Sequence, residues 1–558
     1  MWKRNLLFLS LVGGGIVALG ANLIPPRQAK TIASYDASSH RPADFHAAVE
    51  RADASFHREW EDQGLRSAAL APDLAAARRL ALGLMGTIPS VEEIRQFERL
   101  PADQRLAWWV DHILEDRRFA DYFAERYART FVGTEEGPFI LYRRRRFVAW
   151  LADEFAKNRP YDKMVRELIA ADGLWTDKPA TNFVSVTIQP DNKNQPDPVR
   201  LAGRVTRAFL GLRLDCAQCH NHPFTEWKQS DFQGLSAFFG QTHLGFTGVH
   251  DGPGEYEVED RKGEAKHLVA PRVPFAPDLL PDHGSERSKL AAWVTDAKNP
   301  FFARATVNRV WALMFGRPLI EPVDNLETDG PVPAALQLLA DDFTAHDFDL
   351  RRLVRLIAAT EVFQMDSATE HEIGKAEDHA WAAFPITRLR PEQVVGGVVQ
   401  SSSVATINSE SHILTRMIRY FNQNDFVRLY GDSGDDEFDG RVGTIPQRLL
   451  MMNDNLIEER IKDSPFNAST RIGMMAPDDA HAVEVAYLAV LTRRPTPEEA
   501  AHFERFLADP NVTRGQASSK EQGGPFKKLP ADQVLTRGER LEDIYWSLLN
   551  STEFSWNH

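Results

Sequence analysis

The chain has 558 residues, 43% of them apolar and 10% aromatic, enough for packed cores across roughly three to four domain lengths. Its 65 Lys and Arg stand against 79 Asp and Glu, a formal net charge of −14. That balance excludes non-specific nucleic-acid binding and charge-driven docking on anionic lipid, because both need a basic surface.

At the N-terminus Lys3 and Arg4 precede LLFLSLVGGGIVALGANLI, an apolar run that ends at Ile24 ahead of Pro25 and Pro26. A basic start, one apolar run and a breaker make an export signal. Ala18 and Gly20 supply small residues for a cut before Ala21, yet the run approaches the ~20 residues that span a bilayer. Residues 1–24 therefore read as a signal peptide or as an N-terminal anchor. On either reading the rest of the chain is periplasmic or secreted, and that N-terminal segment is its one route to a membrane.

A polar linker, 25–55, leads into an N-terminal helical domain, 56–240. There DLAAARRLALGLMG, ADQRLAWWVDHILEDRRFADYFAERYARTF and RRFVAWLADEFAKNRPYDKMVRELIAA repeat apolar residues at three and four spacing, the signature of amphipathic helices. Arg143 to Arg146 form a basic run, expected to be a solvated helix face paired with acids such as Glu135, Glu136 and Asp153. Strand patterns are scarce, and the best is NFVSVTIQ, Asn182 to Gln189.

Cys216 and Cys219, the two cysteines of the chain, sit in C-A-Q-C-H with His220. C-x-x-C-H suits covalent haem c: two thiols three apart on a turn can each add to a vinyl group, and the adjacent imidazole reaches the iron from the same side. The helix-forming DPVRLAGRVTRAFLGLRL delivers the motif, and Pro223, Phe224 and Trp227 offer surface to cover a porphyrin. The sixth ligand would come from elsewhere, with Met314, Met365, Met451 and Met452 available. Zinc is the alternative, held by Cys216, Cys219 and either His220 or His222 with a further ligand, and a disulfide is the third reading.

Residues 241–280, including DGPGEYEVEDRKGEAKHLVAPRVPFAP from Asp251, lack a helical period and are expected to form a small β-hairpin or irregular connection to a C-terminal helical domain, 281–558. In that domain Asn308, Arg309, Trp311 and Arg317 could bind an anion or sugar, with helix-to-helix hydrogen bonding the plainer role. DSGDDEFDG, 432–440, has the carboxylates for calcium but not the EF-hand spacing, so it reads as a solvated acidic loop. Two repeats cross the chain. LGLMGTIPSVEEIRQFERL (82–100) matches LAVLTRRPTPEEAAHFERF (488–506), each with a capping box at Ser90/Glu93 or Thr496/Glu499. LADEF (151–155) matches LADDF (339–343), each followed at the same offset by LIAA. No Gly-x-Ser-x-Gly elbow, P-loop, dinucleotide fingerprint or HExxH occurs, which lowers the main hydrolase and nucleotide classes.

CAQCHNHPFTEWKQSDFQGLSAFFG resembles the signature of a secreted planctomycete-type family of uncharacterised function, whose members often carry a separate cytochrome c domain. VNRVWALMFGRPLIEPVDNLETDGPVPAALQLLADDF, RLRPEQVVGGV, IPQRLLMMND, AVLTRRPTPEE and the terminal SLLNSTEFSWNH resemble the companion domain of the same proteins. The resemblance covers nearly everything after residue 70 and implies an exported, mainly α, multi-helical two-domain protein in a redox setting. No separate cytochrome domain is present here, so any haem must sit on Cys216 and Cys219. The expectation is an extracytoplasmic c-type haem protein in electron transfer or haem-coupled oxidation, with an extracytoplasmic redox partner or small-molecule substrate. The alternative is a haem-free secreted binding protein or hydrolase, related to polysaccharide, with zinc or a disulfide at the motif.

Overall fold

The structure, a computed structural model, describes residues 35–134, 142–188, 195–221, 226–259, 266–326, 330–369, 373–407, 429–430, 438, 444–462, 464, 467–513 and 534–558. The N-terminal apolar run, the acids Glu135 and Glu136, His222 and all of the 432–440 loop except Phe438 fall outside those residues. The protein is mainly α, and its described residues form three short antiparallel strand pairs among many helices. No helix among the described residues is long and apolar enough to cross a membrane.

The helix Asp73–Met85 shows why the helices pack as they do. Apolar residues surround its axis rather than forming one stripe, so it is buried from Ala76 to Met85 and packs against Ala102–Glu115, Arg117–Val132 and Phe302–Phe315. Its two arginines are buried with it and bind carbonyls. Arg78 donates to Val490 O (3.1 Å), while Arg79 donates to Met365 O (2.5 Å) and His558 O (2.8 Å) with its guanidinium 3.8 Å from the Phe384 ring centre. Burial pushes the Arg79 guanidinium down to about 9.

Among the described residues two cores result, and each draws on both halves of the chain. The first runs from Phe45 to Phe384 and stacks Tyr161 on Phe302 at 5.6 Å. In the second, Leu82, Ile88, Val91 and Ile94 pack with Val394–Val399, Tyr487, Ile544 and Phe554.

The repeats begin like elements. Ser90 Oγ accepts from Glu93 N at 3.0 Å while Glu93 accepts from Ser90 N at 2.8 Å, and Thr496 with Glu499 repeats this at 3.2 and 2.8 Å. Each box follows a helix closed by a left-handed residue at the same repeat position, Gly86 (φ 62°) or Thr492 (φ 59°). The copies touch through Arg494 to Glu98 at 2.6 Å. In the other pair, Tyr161 N donates to Phe348 O (3.2 Å) and Asn158 to Asp349 (3.0 Å).

The expected strand at Asn182 to Gln189 is corrected by the structure: Pro179–Thr181 is a 3₁₀ turn and Asn182–Ser185 a helix. Alternation of apolar and polar residues needs a partner strand to become a ladder, whereas Asn182 donates to Pro179 O (2.8 Å) and accepts from Arg143 N (2.8 Å), holding a helical turn. In the basic run, Arg144 binds Glu125 at 2.8 and 3.0 Å, and Asp153 is taken by Arg117 at 2.7 Å.

Between the halves lie two hairpins, β1 (Thr242–Gly245) with β2 (Gly248–Asp251) and β3 (Glu257–Glu259) with β4 (Lys266–Leu268). Later, β5 (Thr387–Arg388) pairs with β6 (Trp556–Asn557). Arg287, with a side chain 0% exposed, ties the first hairpin down by donating to Asp251 (2.6 Å), Ala171 O (2.9 Å) and Asp172. Arg287→Leu should strand those acceptors and cost about 2–3 kcal/mol, read as a lower urea midpoint; an unchanged midpoint would refute this role.

Candidate functional site

The C-x-x-C-H turn stands on a helix whose end is distorted. Asp197 caps the helix Pro198–Val205 by accepting from Val199 N (2.9 Å) and Arg200 N (3.2 Å), with Pro198 preset for the first turn. The helix widens into a π turn, Thr206–Leu210, and stops at Gly211, which is left-handed at φ 61°. A side chain at Gly211 would also meet Leu326 at 3.1 Å and Ala305 at 3.3 Å.

Buried Leu212, Leu214 and Ala217 then anchor the segment, and the 3₁₀ turn Asp215–Gln218 leaves Cys216 and Gln218 at the surface. Cys216, Cys219 and His220 are all exposed as a result. Ala217, 1% exposed, is the plug that sets this polarity.

Beyond the turn, His220 Nδ1 lies 2.7 Å from the carbonyl oxygen of Asn221. A carbonyl only accepts, so Nδ1 carries the hydrogen and Nε2 keeps its lone pair. Asn221 in turn accepts from Gln229 N (3.0 Å), and Gln229 Nε2 donates to Gln218 O (3.2 Å), binding the loop to the start of the helix Gln229–Ala237. Half-buried Trp227 leans on Phe275 at 6.2 Å, and Phe275 contacts Trp293 at 4.7 Å and Phe301 at 4.9 Å. His222, Pro223 and Phe224 lie outside the described residues.

The second half braces the motif from below. Leu326 N donates to Gly211 O at 2.7 Å, and buried Asp324 takes Arg213 at 2.7 Å and Arg207 at 3.5 Å. Sequence reasoning missed Asp324, Arg213 and Asn221. The one signal for Asp324 was its place in EPVDNLETDG, because an ion pair spanning 111 residues leaves no local period.

The other expected groups divide differently. Asn308 is fully buried and exchanges hydrogen bonds with Ile320 (2.9 and 3.0 Å), Arg309 donates to Thr130 (2.9 Å), Trp311 stacks on Phe315 at 4.2 Å, and Arg317 reaches Asp378 (2.8 Å). These are packing contacts and do not converge on a site. Met314, Met365 and Met451 are buried in the cores, and Met452 is 37% exposed.

Among the described residues, Glu93, His112 and Asp116 bring three possible metal ligands within 4.8 Å of one another. Arg118 already occupies that position, 2.8 Å from Asp116 and bonded to Glu93. Burial alone would raise the Glu93 carboxyl, but Arg118, His112 and the Ser90 amide hold it down at about 2. The cluster is an internal ion pair at a helix start.

Residues 51–244 match the family PSCyt2, described as a protein of unknown function (DUF1549). Residues 286–413 match PSD1, also described as a protein of unknown function (DUF1553). No curated protein and no solved structure matches the chain. The hairpin segment falls between the two matches, the exposed cysteines inside the first and the Asp324 brace inside the second. The chain thus carries a PSCyt2 region followed by a PSD1 region, two families of unknown function.

Proposed function

We propose that the protein is an extracytoplasmic c-type haem protein that transfers electrons with a redox partner or couples a haem to oxidation of a small external substrate. Cys216 and Cys219 would hold the group by thioethers and His220 Nε2 would ligate its iron. The observation that carries this reading is the 2.7 Å contact of His220 Nδ1 with Asn221 O, which leaves Nε2 as a lone-pair donor beside two exposed thiols. When bound, the haem would supply one-electron chemistry.

The chain's own part is positional. Asn221 and Gln229 hold the imidazole-bearing loop, Ala217 keeps both thiols at the surface where an attachment enzyme can reach them, and Asp324 neutralises the arginines beneath. Burial of Met314, Met365 and Met451 counts against those three as a sixth ligand, since each would have to leave a core.

The test is expression of the full chain with its own leader in a host that has the haem-attachment machinery. The expected result is a reduced spectrum with α and Soret bands and one haem retained in denaturant. Cys216→Ser with Cys219→Ser should remove the covalent haem without changing the helical circular dichroism, and His220→Ala should weaken attachment. Absence of those bands, with one equivalent of zinc by elemental analysis, would overturn the haem reading for the haem-free secreted protein. Carbon monoxide separates the two haem roles: no binding to the ferrous protein supports electron transfer, and complete binding supports oxidation at an open iron.

A further inference from the structure

The first hairpin sets two histidines against each other. Its register places His243 directly opposite His250, with ring centres 6.3 Å apart, while the flanking pairs, Thr242 with Asp251 and Leu244 with Val249, turn to the other face. Thr242 and Val249 are buried there, and both imidazoles are half-buried. His250 Nδ1 lies 3.1 Å from Gly248 O, a carbonyl that only accepts, so Nδ1 carries the hydrogen and Nε2 keeps its lone pair.

The rings are seated among glycines. A Cβ at Gly245 would meet His250 Cε1 at 2.6 Å, and one at Gly252 or Gly254 would meet the His243 ring at 3.0 or 3.4 Å. None of these three glycines is left-handed, so room for the imidazoles, not turn geometry, is what a side chain there would disturb. Anchors on both strands keep the pair in register: Gly173 exchanges backbone hydrogen bonds with Val249 at 2.8 and 3.0 Å, Leu244 N donates to Gln195 Oε1 at 2.8 Å, and Arg287 holds Asp251 at 2.6 Å. Paired imidazoles suit zinc or copper, whereas magnesium and calcium take oxygen ligands. Zinc to nitrogen bonds of about 2.0–2.1 Å put the centres of two rings on one ion about 5–6 Å apart, so a small turn of either ring closes the distance.

We infer that His243 and His250 form a two-imidazole site for a divalent transition cation, zinc or copper(II), with water completing the coordination. The site uses no residue of the Cys216 turn and does not depend on a haem there. Equilibrium dialysis of the full chain against zinc, copper(II) and magnesium tests it, with His243→Gln, His250→Gln, the double variant, and Cys216→Ser with Cys219→Ser run alongside. One equivalent of copper(II) or zinc should bind, copper(II) the tighter of the two, and magnesium should not compete. Each single histidine variant should weaken that equivalent about tenfold or more with unchanged circular dichroism, and the double variant should lose little beyond either single one, because a chelate is broken once. Two independent sites, or a general loss of folding, would not give that pattern. The cysteine variant should keep the equivalent, which separates it from zinc at the C-x-x-C-H turn. Unchanged affinity in either histidine variant, additive losses in the double variant, or disappearance of the equivalent in the cysteine variant would overturn the assignment.

Discussion

Gly396→Ala should cost about 3 kcal/mol, a large share of the ~5–15 kcal/mol by which folded proteins are ordinarily stable. Gly396 lies inside the helix Pro391–Ser401, where a Cβ would sit 2.0 Å from Gly86 O and 3.2 Å from Thr87 Cα. Neither backbone can retreat easily. Gly86 is left-handed and faces the Tyr122 ring, which its own Cβ would meet at 2.4 Å, and Thr87 Oγ1 donates to Gly396 O at 2.9 Å. Gly397→Ala is the control, because its Cβ would first meet the Phe554 ring edge at 3.1 Å, and a side chain can shift where a peptide group cannot. Urea unfolding of both variants decides the matter. Equal midpoints for the two would show that the close approach does not carry the energy assigned to it.

Glu93→Gln should destabilise the protein by about 3 kcal/mol at pH 7, by leaving Arg118 buried with Asp116 as its remaining acid. Glutamine can still accept from Ser90 N, so the loss reports charge rather than capping. The pH dependence gives the signature. The folded carboxyl sits near 2 against an ordinary 4.5, so its contribution is complete above pH 4.5 and disappears as pH falls through about 2. The gap between wild type and variant should therefore narrow from pH 5 down to pH 2 in urea titrations. A gap independent of pH across that window would mean that the carboxylate charge is not what stabilises this corner. Adding Arg118→Met to Glu93→Gln should recover part of the loss, since the unpaired cation goes with it.

Helix positions, the repeats and the cysteine motif were legible because each is written within a few residues. An apolar period of three to four, a hydroxyl three residues before a carboxylate, and C-x-x-C-H are local patterns with local physical causes. Asn182 to Gln189 misled because period two is a weaker instruction: a strand needs a neighbour to pair with, and here Asn182 closes a helical turn with its own side chain.

Sequence alone sufficed to mark Ser90/Glu93 and Thr496/Glu499 as the same device, and both do begin helices. Their energetic weight was decided by the tertiary structure. Glu93 is 2% exposed with Arg118 against it, whereas Thr496 is exposed and Glu499 pairs with Arg493 at the surface. In the same way the motif named Cys216, Cys219 and His220, but only packing of Ala217 turned the thiols outward and only the Asn221 carbonyl chose which imidazole nitrogen stays open. The partners of Asp324 had no local trace, because burial and charge pairing depend on neighbours brought together from a hundred or more residues away in the chain, as between Arg213 and Asp324 or Arg287 and Asp172.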